Sequence, residues 1–126
     1  MMKSKKFSLK KRIQSFRYAF NGLKILLKEE HNARIHLFAA IGAIVTSIVL
    51  KISLYEWVAV IFAIGFVFAM EILNTVVENM ADFISPDMDK RIKKIKDLSA
   101  AATLIGAIVA LVTGIIIFLP KIIALC

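Results

Sequence analysis

Glu71-Ile72-Leu73-Asn74-Thr75-Val76-Val77-Glu78-Asn79-Met80-Ala81-Asp82 follows an uncharged run over residues 57–70, and this junction decides the fold. If both parts form one helix, its polar side chains share a face about 80° wide: Glu71, Asn74, Glu78 and Asp82. Burying an ionisable side chain in lipid costs about 2.5–3.5 kcal/mol, so such groups usually face a protein interior and carry chemistry there. The alternative is a helix end that protrudes into water, which suits Asp82 but not the deeper Glu71.

Composition identifies the chain as an integral membrane protein. Its 126 residues are 60% hydrophobic and have a mean hydropathy of +0.80, which is more apolar surface than a soluble domain of this length needs. The length fits a single domain, residues 1–126. The one cysteine, Cys126, excludes an intrachain disulfide, and the basic N-terminus lacks the pattern of a signal peptide.

The positive charge is concentrated in two segments. Fifteen of the 17 Lys and Arg residues lie in residues 3–34 and 90–96, and the formal net charge is +8. The positive-inside rule places both segments in the cytoplasm, with Lys51 and the C-terminus outside. Three spans follow from this alternation. Because the charge is confined to these segments, it gives no reason to expect nucleic acid as a partner.

The hydrophobic pattern predicts helices throughout. Apolar residues at steps of three and four predict a basic amphipathic helix over residues 8–28, suited to lie on an anionic inner leaflet. Three apolar segments are long enough to cross a bilayer, at residues 33–50, 56–84 and 98–119. The predicted fold class is therefore an all-α membrane protein, with an N-terminal amphipathic surface helix and three transmembrane helices.

The second span is longer than the membrane is thick, so its inner end must project. It measures about 42 Å, against a hydrocarbon core of about 30 Å. Counted from Trp57, Glu78 and Asp82 fall at or beyond the inner interface, whereas Glu71 lies about 9 Å inside. That is the depth at which the hydroxyl group of a lipid alcohol would lie. Ser85-Pro86-Asp87 ends the helix, because proline cannot continue it.

Other polar residues are predicted to gather at the same cytoplasmic edge. Arg34 and His36 lie at the rim of the first span, where Arg34 can snorkel to the headgroups and His36 can be a hydrogen-bonded interfacial residue. Asp97 precedes the third span and is expected to point toward the same pocket. Within that span small residues recur at every fourth position, which favours close packing rather than catalysis: Ala102, Gly106, Ala110 and Gly114.

The side chains at this rim match the needs of phosphoryl transfer. They are Glu30, Glu71, Asn74, Glu78, Lys94, Lys96 and Asp97. Mg²⁺ takes hard oxygen ligands, often one or two carboxylates together with substrate phosphates, and the transfer needs a cation and a base beside the attacking hydroxyl. Neither G-x-x-x-x-G-K-[ST] nor G-x-G-x-x-G occurs, so a standard nucleotide-binding domain is not predicted. The residues alone predict a polar intramembrane site that could be metal-dependent.

The stretch from Glu71 to Asp82 closely resembles the signature of the bacterial integral-membrane diacylglycerol kinase family, which includes the undecaprenol kinases. The pattern Glu-x-x-Asn-x-x-x-Glu-x-x-x-Asp in a three-span chain is highly specific. Glu30 four residues before Arg34, and Lys96-Asp97 before an alanine-rich span, support it. The resemblance implies a homotrimer in the bacterial inner membrane, with active sites shared between neighbouring protomers. It implies transfer of the ATP γ-phosphate to a membrane lipid alcohol.

The resemblance also implies a role for each matching residue on the first three helices. Glu71 would be the general base for the lipid hydroxyl. Glu30 and Glu78 would hold Mg²⁺ with the ATP phosphates, and Asn74 would orient that group.

Near the start of the third span and at the end of the second, the resemblance implies specific roles for some polar residues but not for others. Lys96 would neutralise phosphate charge, and Asp97 would help to hold the nucleotide. Lys94 has only its charge to recommend it, and Asp82 has no role beyond interactions at the helix end. Leu98-Ser99-Ala100-Ala101-Ala102 departs from the family pattern, because many relatives carry a glycine there; this concerns packing near the nucleotide rather than the reaction.

The choice of lipid stays open between two acceptors. Arg34-Ile35-His36 and the ending Ile117-Phe118-Leu119-Pro120-Lys121 resemble the undecaprenol kinases more than the diacylglycerol branch. Undecaprenol is therefore favoured, and diacylglycerol is the alternative.

Two other classes of protein share parts of this pattern. A small proton-coupled exporter also uses a membrane carboxylate, although here the acids cluster at the inner edge instead of the midplane. A structural subunit would use the polar stripe only to hold helices together.

Overall fold

The computed structural model describes residues 8–87 and 89–126, and the regular elements in that part of the chain are all α-helices. They are α1 (Leu9–Glu29), α2 (His31–Leu50), α3 (Leu54–Ile84) and α4 (Lys90–Leu125). The last three are long and apolar enough to cross a membrane. The predicted all-α class with an N-terminal helix and three spans is confirmed, and the homotrimer stays a prediction. Lys3, Lys5 and Lys6 of the basic N-terminal cluster lie outside the described residues.

The two short breaks before α3 have local chemical causes. Glu30 is the residue between α1 and α2, and its backbone is extended. Its N–H donates to the carbonyl oxygen of Leu26 at 2.9 Å. Lys51 ends α2 in the left-handed conformation, with φ at 51°. Ser53 and Glu56 then form a capping box that begins α3, because each side chain bonds the other residue's backbone N–H.

α4 begins at Lys90, well before the predicted third span over residues 98–119. The basic segment over residues 90–96, which lies between the second and third predicted spans, is therefore helical. Asp89 is the N-cap, and its Oδ1 accepts hydrogen bonds from the N–H groups of Arg91 at 2.8 Å and Ile92 at 3.0 Å. A capped start lets the charged turns form helix in water before α4 enters the membrane.

α4 also continues through Pro120 to Leu125, beyond the predicted end of the span. A proline removes one N–H from the helix ladder. Beside it, Lys121 Nζ lies 3.0 Å from Glu56 Oε2 at the start of α3. This ion pair ties the far end of α4 to α3 and supports the helix past the proline.

Packing within the chain is centred on α3, which contacts α4 most extensively and α2 less, while α1 contacts α2. The close approach of α3 and α4 is visible at Gly106, where an added Cβ would lie 3.5 Å from Met70 Cγ. The small-residue stripe thus serves packing at this point, as its spacing indicates.

Much apolar surface remains uncovered in the single chain. Phe62 is 75% exposed, Ile116 is 67% exposed and Phe38 is 74% exposed, although each lies in a helix of membrane-spanning length. Side chains of this kind are stable against lipid or against another copy of the bundle.

Candidate active site

The polar stripe of α3 runs from the buried part of the helix to its exposed end. Glu71 is 4% exposed, Asn74 and Glu78 are half-buried, and Asp82 is exposed. The rise from Glu71 to Asp82 is about 16 Å along the helix axis. The stripe therefore carries polar groups from the interior of the bundle to solvent, and its deepest member is a carboxyl group.

Glu71 lies against His36 of α2. The distance from His36 Nε2 to Glu71 Oε1 is 3.2 Å, and the His36 side chain is 24% exposed. A carboxylate only accepts hydrogen bonds, so the Nε2–H donates whenever Glu71 is ionised. Sequence reasoning indicated a hydrogen-bonded His36 but missed the partner, because 35 residues separate the two.

Asn74 and Glu78 form the next layer of the stripe. Asn74 Nδ2 donates to Glu78 Oε1 at 3.0 Å across one helical turn. Asn74 Oδ1 is buried and has no hydrogen-bond partner among the described residues, and the same is true of Thr75 Oγ1. A buried polar atom without a partner costs about 1–3 kcal/mol of stability. A hydrogen bond from a ligand or from another subunit would remove this cost.

Lys96 of α4 joins the stripe through Asp82. Lys96 Nζ lies 2.6 Å from Asp82 Oδ1, with the lysine side chain 28% exposed and the aspartate side chain 58% exposed. The ion pair fixes the cation at the Asp82 end of α3. Asp82, for which the sequence suggested only helix-end interactions, thus has a specific partner.

Asp97 and Lys94 stand apart from the stripe within the chain. Asp97 Oδ2 is 2.6 Å from Lys93 Nζ, one turn earlier in α4, and both side chains are about two-thirds exposed. Lys94 is exposed and lines a shallow open depression with Lys90, Lys93 and Asp97. The expectation that Asp97 points into the same pocket as Glu71 therefore has no support from its contacts in one chain.

Glu30 lies at the junction of α1 and α2, where it is half-buried. Arg34 holds this junction, since its Nε donates to the Leu27 carbonyl oxygen at 2.7 Å and its Nη2 donates to the carbonyl oxygen of Lys28. The guanidinium thus satisfies the end of α1 instead of extending to the headgroups. Through these bonds Arg34 fixes the position of the Glu30 backbone.

The donor set fits magnesium, although no three His, Cys, Asp or Glu side chains converge anywhere in residues 8–87 and 89–126. Glu78 offers a carboxylate, and the unpartnered Asn74 Oδ1 offers a second hard oxygen beside it. Mg²⁺ binds through one or two carboxylates and takes its other ligands from water and substrate phosphates. A complete protein cage is therefore not required.

An apolar cavity of about 260 Å³ lies between α2, α3 and α4, beside the histidine that bonds Glu71. His36 lines the cavity, and the rest of the wall comes from small and apolar side chains of α2, α3 and α4, among them Ala40, Val67, Ala110 and Gly114. The histidine that bonds Glu71 thus also borders a space suited to a hydrocarbon chain.

Comparison with known proteins identifies the family. The model of the prokaryotic diacylglycerol kinase family matches residues 17–118, which include the whole stripe and parts of all four helices. The chain belongs to this family. The resemblance inferred from the Glu71–Asp82 stretch is confirmed.

The curated relatives of this prokaryotic diacylglycerol kinase family member carry two different names. An undecaprenol kinase from Bacillus subtilis is 32% identical over 108 residues, covering 86% of this chain and 88% of that protein. A diacylglycerol kinase from Synechocystis is 30% identical over 112 residues, covering 88% of this chain and 64% of that protein. A diacylglycerol kinase from Escherichia coli is 30% identical over 105 residues, covering 83% of this chain and 86% of that protein. Family membership alone does not choose between the two acceptors.

Proposed function

We propose that the protein is a lipid kinase that transfers the γ-phosphoryl group of ATP to the hydroxyl group of a membrane lipid alcohol. Undecaprenol is the preferred acceptor, and Mg²⁺ is required. The observation that carries the proposal is the burial of Glu71, which is 4% exposed within a helix of membrane-spanning length. Burying a carboxyl group at that position costs stability, which is why such groups usually mark functional sites. The names of the relatives support the same class of reaction.

In the proposed reaction Glu71 is the general base. The acceptor hydroxyl gives its proton to the Glu71 carboxylate while its oxygen attacks the γ-phosphorus. The bond from that phosphorus to the bridging oxygen breaks, and ADP leaves. Burial of Glu71 keeps bulk water, a competing acceptor, away from the base.

Glu30 and Glu78 are the residues proposed to hold Mg²⁺, and Asn74 is proposed to orient them. When bound, the ion would neutralise negative charge on the β- and γ-phosphates. Within the chain, the Asn74 amide already orients Glu78 through the 3.0 Å hydrogen bond. The amide keeps Oδ1 free for a further interaction, since no described residue bonds it. Asn74 thus orients the Glu78 carboxylate, which lies between Glu71 and Asp82 on the stripe.

Lys96 is proposed to bind the ATP phosphates, with Asp82 holding it in place through the 2.6 Å ion pair. This arrangement puts a cation beside the Asp82 end of the polar stripe, at the end where a water-soluble nucleotide would arrive. ATP then enters from the cytoplasm and the lipid from the membrane. The proposed orientation, with the N-terminus and the α3–α4 connection in the cytoplasm of the bacterial inner membrane, agrees with this division.

A homotrimer would complete the site. Glu30 and Asp97 are proposed to bind metal and nucleotide, yet Asp97 pairs only with Lys93 in the described part of one chain. The exposed apolar faces of the three long helices offer surface for neighbouring copies. Sites shared between copies would bring these residues to the stripe without a separate nucleotide domain.

The acceptor preference is tested with the purified protein, Mg²⁺ and ATP carrying a labelled γ-phosphate. Undecaprenol and diacylglycerol are presented separately at equal mole fraction in the same detergent. We expect label in undecaprenyl phosphate to exceed label in phosphatidic acid. The reverse preference would make diacylglycerol the acceptor, and no transfer to either by folded protein would contradict the kinase proposal.

A further inference from the structure

His36 is the one residue that the described structure places in hydrogen-bond contact with Glu71 and that the proposed reaction does not yet use. It comes from a different helix, α2, and its Nε2 is 3.2 Å from Glu71 Oε1. The nearby cavity is lined by no other ionisable side chain. Among the described residues, His36 is thus the one side chain that hydrogen-bonds the buried carboxyl group.

A single donor on one carboxylate oxygen has a geometric consequence. A glutamate in a helix has three rotatable side-chain bonds, and ordering such a side chain costs about 1–2 kcal/mol of conformational entropy. A general base must lie within hydrogen-bond reach of the proton that it accepts. The bond from Nε2 fixes Oε1, so the other oxygen, Oε2, stays available at a defined position.

Charge gives a second reason for the contact. A buried carboxylate without a hydrogen-bond donor is strongly disfavoured. The histidine can donate from Nε2 as a neutral imidazole, so the pair does not require a second buried charge. The His36 side chain is 24% exposed, and its ring borders the cavity as well as bonding the Glu71 carboxyl group.

We propose that His36 is a positioning residue for the lipid kinase reaction: its Nε2–H holds Glu71 Oε1 so that Oε2 accepts the proton of the lipid hydroxyl. The inference rests on the proposed function, because it assigns His36 to the same chemical step. In this role His36 acts through Glu71, so its loss should alter the rate of the step more than the binding of substrates.

Two substitutions of nearly equal length separate the hydrogen bond from the shape of the side chain. His36→Gln retains an N–H donor near the position of Nε2, whereas His36→Met does not. We expect His36→Met to lower kcat about 10- to 100-fold, with KM for ATP and for the lipid changed less than about threefold. His36→Gln should recover kcat to within about fivefold of the wild type.

The matched controls are His31→Gln and His31→Met, which change the exposed histidine at the start of the same helix. Both should leave kcat unchanged. If His36→Met does not accumulate in the membrane, His36→Ala provides a donor-free variant that only removes atoms. The thermal unfolding midpoint of each purified variant shows whether folding is retained.

Wild-type kcat in the donor-free variant, or equal loss in His36→Gln and His36→Met, would overturn the role of His36. In either case an active wild-type enzyme would leave the kinase proposal standing. Absence of transfer by the wild type to both lipid alcohols would instead overturn the proposed function itself, and His36 with it.

Discussion

At the scale of single residues, two buried polar side-chain atoms on α3 lack the hydrogen bonds that similar side chains make on other helices. Thr46 and Thr113, on other helices, donate back to the preceding turn at 2.7 and 2.8 Å, which is usual for threonine in a helix. Thr75 Oγ1 is buried without such a bond in the part of the chain that the structure describes, as is Asn74 Oδ1. The two atoms lie within one turn of Glu71, so the unsatisfied polar groups gather at the proposed site.

The ion pair of Lys96 with Asp82 leads to a prediction about ATP. If Asp82 positions Lys96 for the phosphates, Asp82→Asn should raise KM for ATP about two- to fivefold, because partly exposed ion pairs contribute up to about 1 kcal/mol. The kcat should change little. Steady-state kinetics at saturating lipid measures both quantities.

The control for this variant is Asp87→Asn, which alters an exposed acid beyond the end of α3 and should leave KM unchanged. A lower KM for ATP in Asp82→Asn would argue against positioning, because it would mean that Asp82 competes with phosphate for Lys96.

Helical spacing was sufficient to predict that Glu71, Asn74 and Glu78 share a face. It was not sufficient to predict what they contact. His36 belongs to another helix. The one sequence feature that could have indicated its contact with Glu71 is a polar ring at the start of an apolar segment, in a chain with a carboxyl group deep in another span. Arg34 likewise resembled a headgroup anchor, because sequence spacing does not reveal that it folds back on the carbonyl oxygens of α1.

At the scale of elements, the start of α4 depends on its N-cap. The N–H groups of Ile92 and Arg91 hold the pKa of Asp89 below its ordinary value by bonding the carboxylate. The stabilisation is therefore fully present above the ordinary aspartate pKa of about 4 and is lost as the pH falls through the lower folded-state value. This cap sets where the charged turns carrying Lys96 begin.

We expect Asp89→Ala to speed amide hydrogen exchange in the first two turns of α4 at neutral pH, while exchange in the middle of α3 stays unchanged. Asp87→Ala, in the same connection, is the control and should have no such effect. Equal protection in Asp89→Ala and wild type would mean that packing, rather than the cap, holds the start of α4.

Element boundaries were less predictable than element types. The predicted third span excludes the charged run Lys90-Arg91-Ile92-Lys93-Lys94-Ile95-Lys96, but α4 includes it, and Ile92 within it is only 5% exposed. The burial of Ile92 and the Asp89 cap both favour helix in this segment. The end of α4 was obscured by Pro120, since the Lys121–Glu56 ion pair depends on how α3 and α4 pack.

At the scale of the whole molecule, polarity is divided between the two ends of the bundle. The stripe, Lys96 and the charged turns of α4 lie toward one end, and the Glu56–Lys121 ion pair lies toward the other. Between them the helices expose mainly apolar side chains. Composition and hydropathy were enough to predict this class of fold, because membrane spans must satisfy their backbone internally as helices.

Oligomeric state is not encoded in local periodicity, because it depends on how the exposed faces of separate chains fit. If the site needs Glu30 or Asp97 from a neighbour, the active species should be a homotrimer. Native mass spectrometry from detergent should then give three times the chain mass of 14.1 kDa. Full activity in a preparation that contains only monomer would contradict shared sites.

The role of Glu71 as general base is tested by phosphoryl transfer in Glu71→Gln, which preserves the size of the side chain and removes the base. The assay measures labelled γ-phosphate transferred from ATP to lipid, with Glu29→Gln, an exposed acid at the end of α1, as the matched control. We expect a loss of kcat of at least about 100-fold in Glu71→Gln, with membrane insertion and oligomeric state retained, and no loss in Glu29→Gln. Transfer by Glu71→Gln at the wild-type rate would contradict the role of Glu71 as general base.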